Sequence, residues 1–310
     1  MRPVCVIGAS GFVGLHVIKA LKSAGVLDLH VLVHKAPVDP NHYASLVHGD
    51  ILDDTSLDNL LLPGSLVINL ASPAGVSGLD AARSLARACA RNGVLRLVHM
   101  STAMVIGDRS ESTISEETPC TPSDEYGKLK LQVERILKDG AENRFELLIL
   151  RPTAMFGPRG KNLHTLARRV AFSSMAHRVV RAIAMGHRNM HALDVEAAAK
   201  AVVFCLDTPV EGRVQTLLIS DDEHPLNNYR GLEACLASSI GVAQVPRWIP
   251  ELPSFAFQLM LSAVGKPDTR ANRVFSSSKL RGMGFAFPRD LGFAVGEYGR
   301  WFLRNCRSTG

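Results

Sequence analysis

Short apolar runs alternate with stretches of helical periodicity along the first two thirds of the chain. Such runs are typical of parallel strands that are buried on both faces. We predict strands at residues 4–7, 29–37, 46–51, 66–71, 95–100, 145–150 and 214–220. Helical patterns lie between them, notably over residues 78–93, which end on the C-cap-like pair Asn92 and Gly93. The alternation predicts an α/β fold with a doubly wound parallel sheet, which binds ligands at the carboxyl ends of its strands.

Composition narrows the class of protein. The 310 residues are 46% hydrophobic and 21% charged, as in ordinary soluble globular proteins. The longest apolar stretches fall short of the roughly 20 residues that a membrane helix needs, so no membrane span is expected. The six cysteines are scattered and form no C-x-x-C pair. We therefore predict neither a metal site nor a disulfide framework, and a reducing cytoplasm is the expected setting.

A basic balance could point to nucleic acid as a partner. The formal net charge is +6. Lys and Arg are nevertheless spread along the chain, without a basic tail or an aromatic–basic alternation. We expect a small anionic ligand, and no nucleic acid.

A glycine-rich turn follows the first predicted strand. Gly8, Gly11 and Gly14 have the spacing G-x-x-G-x-x-G, and a helical pattern follows them. Residues without a Cβ allow a tight turn and close approach of a pyrophosphate, and the helix N-terminus offers N–H groups and a positive dipole. Gly14 would let the helix pack closely on the strand. The predicted dinucleotide contacts of this turn are Gly8, Ser10, Gly11, Phe12, Val13 and Gly14.

The end of the second predicted strand bears on the choice of dinucleotide. Chains that bind NAD usually carry an acidic residue there, which holds the ribose 2′-hydroxyl. This chain has His34 and Lys35 instead. Because a cation could pair with a 2′-phosphate, NADP(H) is the favoured cofactor and NAD(H) the alternative.

Seven motifs follow one another between residues 8 and 202. They are GASGFVG (8–14), GDI (49–51), NLA (69–71), STAMVIG (101–107), YGKLK (126–130), RPTAMFGP (151–158) and MHALDVEAAAKAV (190–202). In this order they resemble the motifs of extended short-chain dehydrogenases/reductases of the NAD(P)-dependent epimerase/dehydratase type. The resemblance implies a Rossmann-type sheet with a smaller C-terminal α/β substrate-binding domain. We expect the first domain at residues 1–160 and about 190–220, and the second at 161–189 and 221–310.

The same resemblance implies three catalytic residues, namely Thr102, Tyr126 and Lys130. Tyr126 and Lys130 are four residues apart and therefore share one face of a helix. Tyr126 is the expected general acid or base. An unperturbed tyrosine has a pKa near ~10, and the Lys130 ammonium is placed to lower it. Thr102 is expected to hydrogen-bond the reacting oxygen of the substrate.

Further contacts are implied for the cofactor and the substrate. Asp50 and Ile51 would contact the adenine, and Lys130 would also hold the hydroxyls of the nicotinamide ribose. The remaining predicted cofactor contacts are Leu70, Ala71, Ser101, Tyr126, Pro152 and Thr153. The predicted substrate contacts are Ser72, Thr102, Asn162, Arg168 and Arg273, the last three toward a diphosphate. His191 is expected to be a structural hydrogen-bonding residue.

The leading hypothesis is an oxidoreductase that uses NADPH to reduce a 4-keto sugar nucleotide. In the dehydratases of the family an Asp–Glu pair follows the Thr, whereas Ala103 and Met104 follow Thr102 here. An NAD-dependent nucleotide-sugar 4-epimerase needs the same catalytic residues and stays open. So does a 3β-hydroxysteroid-dehydrogenase-like enzyme, for which residues 253–265 could line a lipophilic pocket.

Two further expectations rest on the resemblance. A non-catalytic NADP-sensing protein is the alternative of another class, although such relatives usually lack the tyrosine. A homodimer is expected through the helix that carries the Tyr–Lys pair and the helix before it.

Overall fold

A seven-stranded parallel sheet forms the centre of the molecule. The computed structural model describes residues 2–35, 43, 45–109, 111–253 and 273–306. The strands of the sheet are β1 (Val4–Ile7), β2 (Leu29–Val33), β3 (Ser45–His48), β4 (Leu66–Asn69), β5 (Arg96–Met100), β7 (Glu146–Pro152) and β10 (Val214–Ile219), in the order β10-β7-β5-β4-β1-β2-β3. Two small parallel pairs accompany it: β6 (Thr113–Ile114) with β11 (Val274–Phe275), and β8 (Ala154–Phe156) with β9 (Ala192–Asp194).

Helices cover both faces of the sheet and the region beside it. They are α1 (Phe12–Ser23), α2 (Asp54–Leu60), α3 (Val76–Arg91), α4 (Glu125–Ala141), α5 (His164–Phe172), α6 (Met175–Met185), α7 (Val195–Asp207), α8 (Tyr229–Ile240), α9 (Ser278–Gly282) and α10 (Leu291–Cys306). Helices α1 and α7 bury Val17 and Val202 against one face. Helices α2, α3 and α4 bury Leu57, Leu85 and Leu137 against the other. All four residues of β1 are buried between the two layers, which explains its continuous apolar run.

The predicted fold class is confirmed. Each predicted strand of the main sheet is present, and α3 ends at Arg91 with Asn92 as C-cap and Gly93 at φ +64°. The second strand is shorter than expected, because β2 ends at Val33 and the chain bends at His34 and Lys35.

A second core lies beside the sheet. Helices α5, α8 and α10 enclose buried Leu166, Leu236 and Val295, and the ring of Phe156 packs edge-on to that of Tyr298. The helices of this core fall within the segments predicted as a substrate domain, whereas Phe156 falls within the predicted first domain. The domain boundaries themselves stay a prediction. Residues 254–265, most of the stretch considered as a lipophilic lining, lie outside the described residues. Within the described ranges, no helix combines the length and the apolar composition that spanning a bilayer requires.

The contact between α1 and the first turn depends on Gly14. A Cβ at this position would lie 2.2 Å from the Gly8 carbonyl oxygen and 2.5 Å from that of Ala9. We predict that Gly14→Ala lowers the free energy of unfolding by about 1–3 kcal/mol, as other overpacked sites do. Urea unfolding followed by circular dichroism measures it. Gly282→Ala is the control, since a Cβ at that position would meet nothing within 4 Å. Equal stability of the two variants would contradict the prediction.

Candidate active site

The turn between β1 and α1 has the features of a phosphate cradle. Gly8 has φ +88°, and a Cβ there would lie 2.8 Å from the Ala71 nitrogen. Gly11 is the N-cap of α1, no side chain caps the helix, and its first turn carries no acidic residue. Ser10 is exposed at this turn. Because the helix N-terminus leaves N–H groups and positive dipole for an anion, the turn fits the pyrophosphate of a dinucleotide.

The adenine end of the predicted cofactor site contains an acidic group. Nε2 of His34 lies 3.4 Å from a carboxylate oxygen of Asp50, whose other oxygen accepts from the Leu52 backbone N–H at 3.0 Å. Ile51 is buried beside it, and Lys35 is exposed. The sequence at the end of β2 shows no acid, but the loop after β3 brings one to the same place.

The ends of β4 and β7 complete the cofactor side of the cleft. Asn69 Oδ1 accepts from the Ala71 N–H at 3.1 Å and holds the turn in which Leu70 and Ala71 lie half-buried. Thr153 N–H donates to the Ile219 carbonyl at 3.0 Å. Pro152 and Thr153 therefore lie at the carboxyl edge of the sheet, where they help to line a cleft.

Tyr126 projects into that cleft from the first turn of α4. Asp124 caps the helix by accepting from the Gly127 N–H at 2.8 Å. Tyr126 remains 49% exposed. Partial burial raises the pKa of the phenol, while a hydrogen bond with the Ser72 side chain opposes that rise. Ser72, which was predicted to bind substrate, thus contacts the expected catalytic base.

Thr102 lies on the same cleft. It caps the 3₁₀ turn Ala103–Ile106, and its Oγ1 accepts from the Met104 N–H at 3.2 Å. Since a hydroxyl that accepts can still donate, Thr102 can give a hydrogen bond to a substrate oxygen.

Lys130 lies one turn after Tyr126 and is buried beneath the cleft. Its Nζ donates to the Met100 carbonyl at 2.8 Å. Burial lowers the pKa of Lys130 to about 8. The Lys130 nitrogen is thus turned toward β5, and the lowering of the Tyr126 pKa by Lys130 stays a prediction.

Ser101 has its hydroxyl in the core. It donates to Glu134 at 2.5 Å, and Glu134 pairs with Arg151 at 2.6 Å in a fully buried ion pair. A buried carboxylate requires donors, so the Ser101 hydroxyl stabilises this pair, and the predicted cofactor contact of Ser101 stays a prediction.

The whole cleft, including the part lined by Pro152 and Thr153, encloses about 530 Å³. Asn162 lines it and donates to the Met155 carbonyl at 2.8 Å. Arg273 lines it, donates to the Gly107 carbonyl at 2.7 Å and stacks over Phe275. Arg168 is not brought to the cleft, since it lies on the exposed face of α5.

Sequence reasoning missed Arg188 and Asn189 among the polar residues that line the cleft. The signal available was the pair Arg188-Asn189 directly before the 190–202 motif. His191 also lines the cleft, and its Nδ1 lies 2.6 Å from Asp222, as expected of a structural residue.

Comparison with known proteins gives a consistent family. The model of the NAD dependent epimerase/dehydratase family matches residues 4–219. UDP-glucose 4-epimerase of Azospirillum brasilense is 32% identical over 48% of this chain and 47% of its own length. N-acetyl-alpha-D-glucosaminyl-diphospho-ditrans,octacis-undecaprenol 4-epimerase of Escherichia coli O157:H7 is 28% identical over 54% of each chain. The chain thus matches about half the length of these curated relatives.

Solved structures extend the likeness of fold to the whole chain. The UDP-glucose 4-epimerase of Thermus thermophilus in complex with NAD has a TM-score of 0.71 at 19% identity, covering 98% of this chain and 100% of its own. A UDP-glucose 4-epimerase of Thermotoga maritima with UDP-glucose has a TM-score of 0.73 at 16% identity, covering 98% of this chain and 100% of its own.

The Ser72 contact predicts a measurable change at Tyr126. Ser72→Ala should raise the pKa of Tyr126 by roughly one unit, because a hydrogen bond of about 1 kcal/mol to the phenolate is lost. The tyrosinate absorbance during an alkaline titration measures the pKa, after subtraction of the Ser72→Ala, Tyr126→Phe double variant. Ser123→Ala is the control, since its hydroxyl bonds Asp108 at the same cleft. An unchanged pKa in Ser72→Ala would refute the contact.

Proposed function

Because the chain belongs to the NAD dependent epimerase/dehydratase family, we propose that it is a nucleotide-sugar epimerase that acts at C4. Curated relatives of 26–32% identity from several bacteria bear the name UDP-glucose 4-epimerase. The proposal takes from them the substrate class and the position of attack.

One observation carries the proposal. The hydroxyls of Thr102 and Tyr126 share one cleft, and the two residues after Thr102 are Ala103 and Met104, which offer no acid or base. Such a site can move a proton on and off one oxygen, but it has no Asp–Glu pair directly after Thr102 to expel water. The cleft of about 530 Å³ exceeds what one hexose ring fills, which leaves room for a keto sugar to present its other face.

NAD is the cofactor that the site would hold. The Gly8–Gly14 turn would take the pyrophosphate, Asp50 and Ile51 the adenosine, and Ala71, Pro152 and Thr153 the nicotinamide half. A bound nicotinamide would accept hydride from the sugar carbon and return it. The Asp50 carboxylate, which the loop after β3 places 3.4 Å from His34, favours NAD over NADP, because it would repel a 2′-phosphate.

Tyr126 transfers the proton, and Thr102 stabilises the reacting oxygen by a hydrogen bond. The Tyr126 phenolate takes the proton of the C4 hydroxyl, and Thr102 donates a hydrogen bond to the same oxygen. Tyr126 would return the proton to the same oxygen once the keto carbon is reduced on its opposite face. The raised pKa of Tyr126 makes it a strong base once ionised. The positive charge of an oxidised nicotinamide would favour that ionisation.

Cationic and amide groups in the lining of the cleft suit the diphosphate of the substrate. Arg188 and Arg273 line the cleft together with Asn162 and Asn189. Arginines of this kind recognise phosphate through paired N–H donors.

Reduction of a 4-keto sugar nucleotide by NADPH is the second candidate. The exposed Lys35 favours it, since this lysine could meet a 2′-phosphate. The same catalytic residues would serve, with Tyr126 protonating the new alkoxide.

A cytoplasmic homodimer remains the expected state, and α3 packs on α4 in the structure.

Substitution of Tyr126 tests the chemistry. Tyr126→Phe should lower kcat by about 10²–10⁴ while NAD binding is retained, because only the proton transfer is lost. Thr102→Val should lower kcat by about 10²–10³ and Thr102→Ser should restore most of it. Conversion of UDP-glucose followed by NMR measures the rates. Full turnover by Tyr126→Phe would contradict the proposed mechanism.

Nucleotide selectivity separates the two candidates. We expect tighter binding of NADH than of NADPH in fluorescence titrations. Asp50→Asn should reduce the ratio of the NADH and NADPH affinities by roughly fivefold. This factor corresponds to the energy of about 1 kcal/mol between two charges near 4 Å apart in water. Preference of the wild type for NADPH, lost in Lys35→Ala, would instead establish the reductase cofactor.

A further inference from the structure

A row of buried polar groups runs beneath the active-site cleft from β4 across β5 to α4. We call it the donor chain, and it consists of the Ala71 N–H, Asn69, His99 and Lys130. The Ala71 nitrogen lies 3.1 Å from Asn69 Oδ1, Asn69 Nδ2 lies 3.2 Å from His99 Nδ1, and His99 Nε2 lies 3.5 Å from Lys130 Nζ. Asn69, His99 and Lys130 are each at most 3% exposed, so water does not compete for these contacts.

The backbone N–H of Ala71 sets the direction of every hydrogen bond in the donor chain. A backbone N–H can only donate, so the atom of Asn69 that faces it is the amide oxygen. The other terminal group of Asn69 is then NH₂, which also only donates, so His99 Nδ1 accepts. A neutral imidazole that accepts at Nδ1 carries its proton on Nε2. Burial holds the pKa of His99 well below its ordinary value, which keeps the ring neutral.

The His99 Nε2–H, which is the last donor of the donor chain, therefore points at the Lys130 nitrogen. An ammonium group has no acceptor and would oppose the Nε2–H, whereas a neutral amine accepts it with its lone pair. The amine can still donate to the Met100 carbonyl, 2.8 Å away. We infer that His99 is a positioning residue, whose Nε2–H holds the Lys130 nitrogen at the floor of the cofactor cleft and favours the neutral amine. The pKa of Lys130 is lowered to about 8, which agrees with a preference for the neutral amine.

Few other groups act on Lys130. The elements around it carry further titratable and charged side chains: Glu125, Tyr126, Lys128, Glu134, Arg135, Lys138 and Asp139 on α4, Arg96 and His99 on β5, and Glu146 and Arg151 on β7. Of the charged groups among them, Glu134 is the one that shifts the pKa of Lys130. Glu134 favours the ammonium form, but it is ion-paired with Arg151. Helix α3 faces this side with buried Ala81 and Ala82. Among the described residues, His99 is the titratable group within hydrogen-bond reach of Nζ.

The consequence for catalysis rests on the proposed function. Lys130 can favour the Tyr126 phenolate only as an ammonium, which exists below the pKa of Lys130. By lowering that pKa, His99 brings down the pH above which the rate falls. Removal of the Nε2–H should raise the pKa of Lys130 and move the alkaline limb of kcat to higher pH.

Three substitutions separate the two ends of His99. His99→Gln keeps an amide NH₂ near the Nε2 position, facing Lys130. His99→Asn keeps an amide near the Nδ1 position, facing Asn69, and leaves Lys130 without the donor. Asn69→Asp changes one heavy atom and reverses the chain: the carboxylate accepts from both Ala71 and His99 Nδ1–H, and Nε2 becomes an acceptor for the Lys130 ammonium.

NMR tests the inference without turnover. The ¹³C shift of the Lys130 ε-methylene, assigned by its loss in Lys130→Arg, gives the pKa of Lys130. The ¹⁵N shifts of His99, assigned by their loss in His99→Gln, give its tautomer. We expect the proton on Nε2 in the wild type. The pKa of Lys130 should rise by about one unit, or tenfold in the protonation constant, in His99→Asn and Asn69→Asp. It should stay near the wild-type value in His99→Gln.

Two results would overturn the inference. One is a wild-type His99 that carries its proton on Nδ1. The other is an unchanged Lys130 pKa in Asn69→Asp, which also decides the matter if His99→Asn does not fold. These readouts use no substrate, so they stand apart from any failure to find epimerase activity. Where turnover is found, the alkaline limb of kcat should shift with the pKa of Lys130 in each variant.

Discussion

Parallel pairing of β5 with β4 on one side and with β7 on the other is the constraint on which the site depends. Asn69 is level with His99, and Met100 with Leu150, so the three strands reach the same rim of the sheet. The residues just beyond each strand end, among them Thr102 and Thr153, then meet without long connections. Helix α4 crosses this rim and contributes the tyrosine above it and the lysine below.

Buried charges hold α4 at that rim. Glu134 is fully buried, receives two hydrogen bonds from Arg151 on β7 and one from Ser101 at the end of β5. Loss of one partner of such a group leaves an uncompensated charge in the core, which is far more costly than loss of an exposed pair. The orientation of α4 thus depends on the ion pair of Glu134 at one turn and on the donor chain at Lys130 one turn earlier.

The sequence predicted the sheet well because parallel strands are buried on both faces and read as continuous apolar runs. It also predicted where Gly8, Thr102 and Tyr126 lie, since their motifs stand directly at strand and helix ends; their roles stay predictions. It did not reveal the direction in which the Lys130 ammonium turns, since that depends on a carbonyl and an imidazole of another strand. Nor did it show Asp50 beside His34 or Arg188 in the cleft, because both are placed by tertiary packing of loops. The hydrogen bond between the Ser101 hydroxyl and Glu134 was not foreseen for the same reason, since the two residues are 33 positions apart.

The central claim is that this site takes hydride from a nucleotide-linked hexose and returns it to the same carbon. The most direct measurement incubates the purified protein with UDP-glucose and UDP-N-acetylglucosamine that carry deuterium at C4, with no dinucleotide added, and analyses the products by NMR and mass spectrometry. The account predicts a C4 epimer that retains the deuterium. An epimer that has lost the deuterium, or turnover that requires added NADPH, would contradict it.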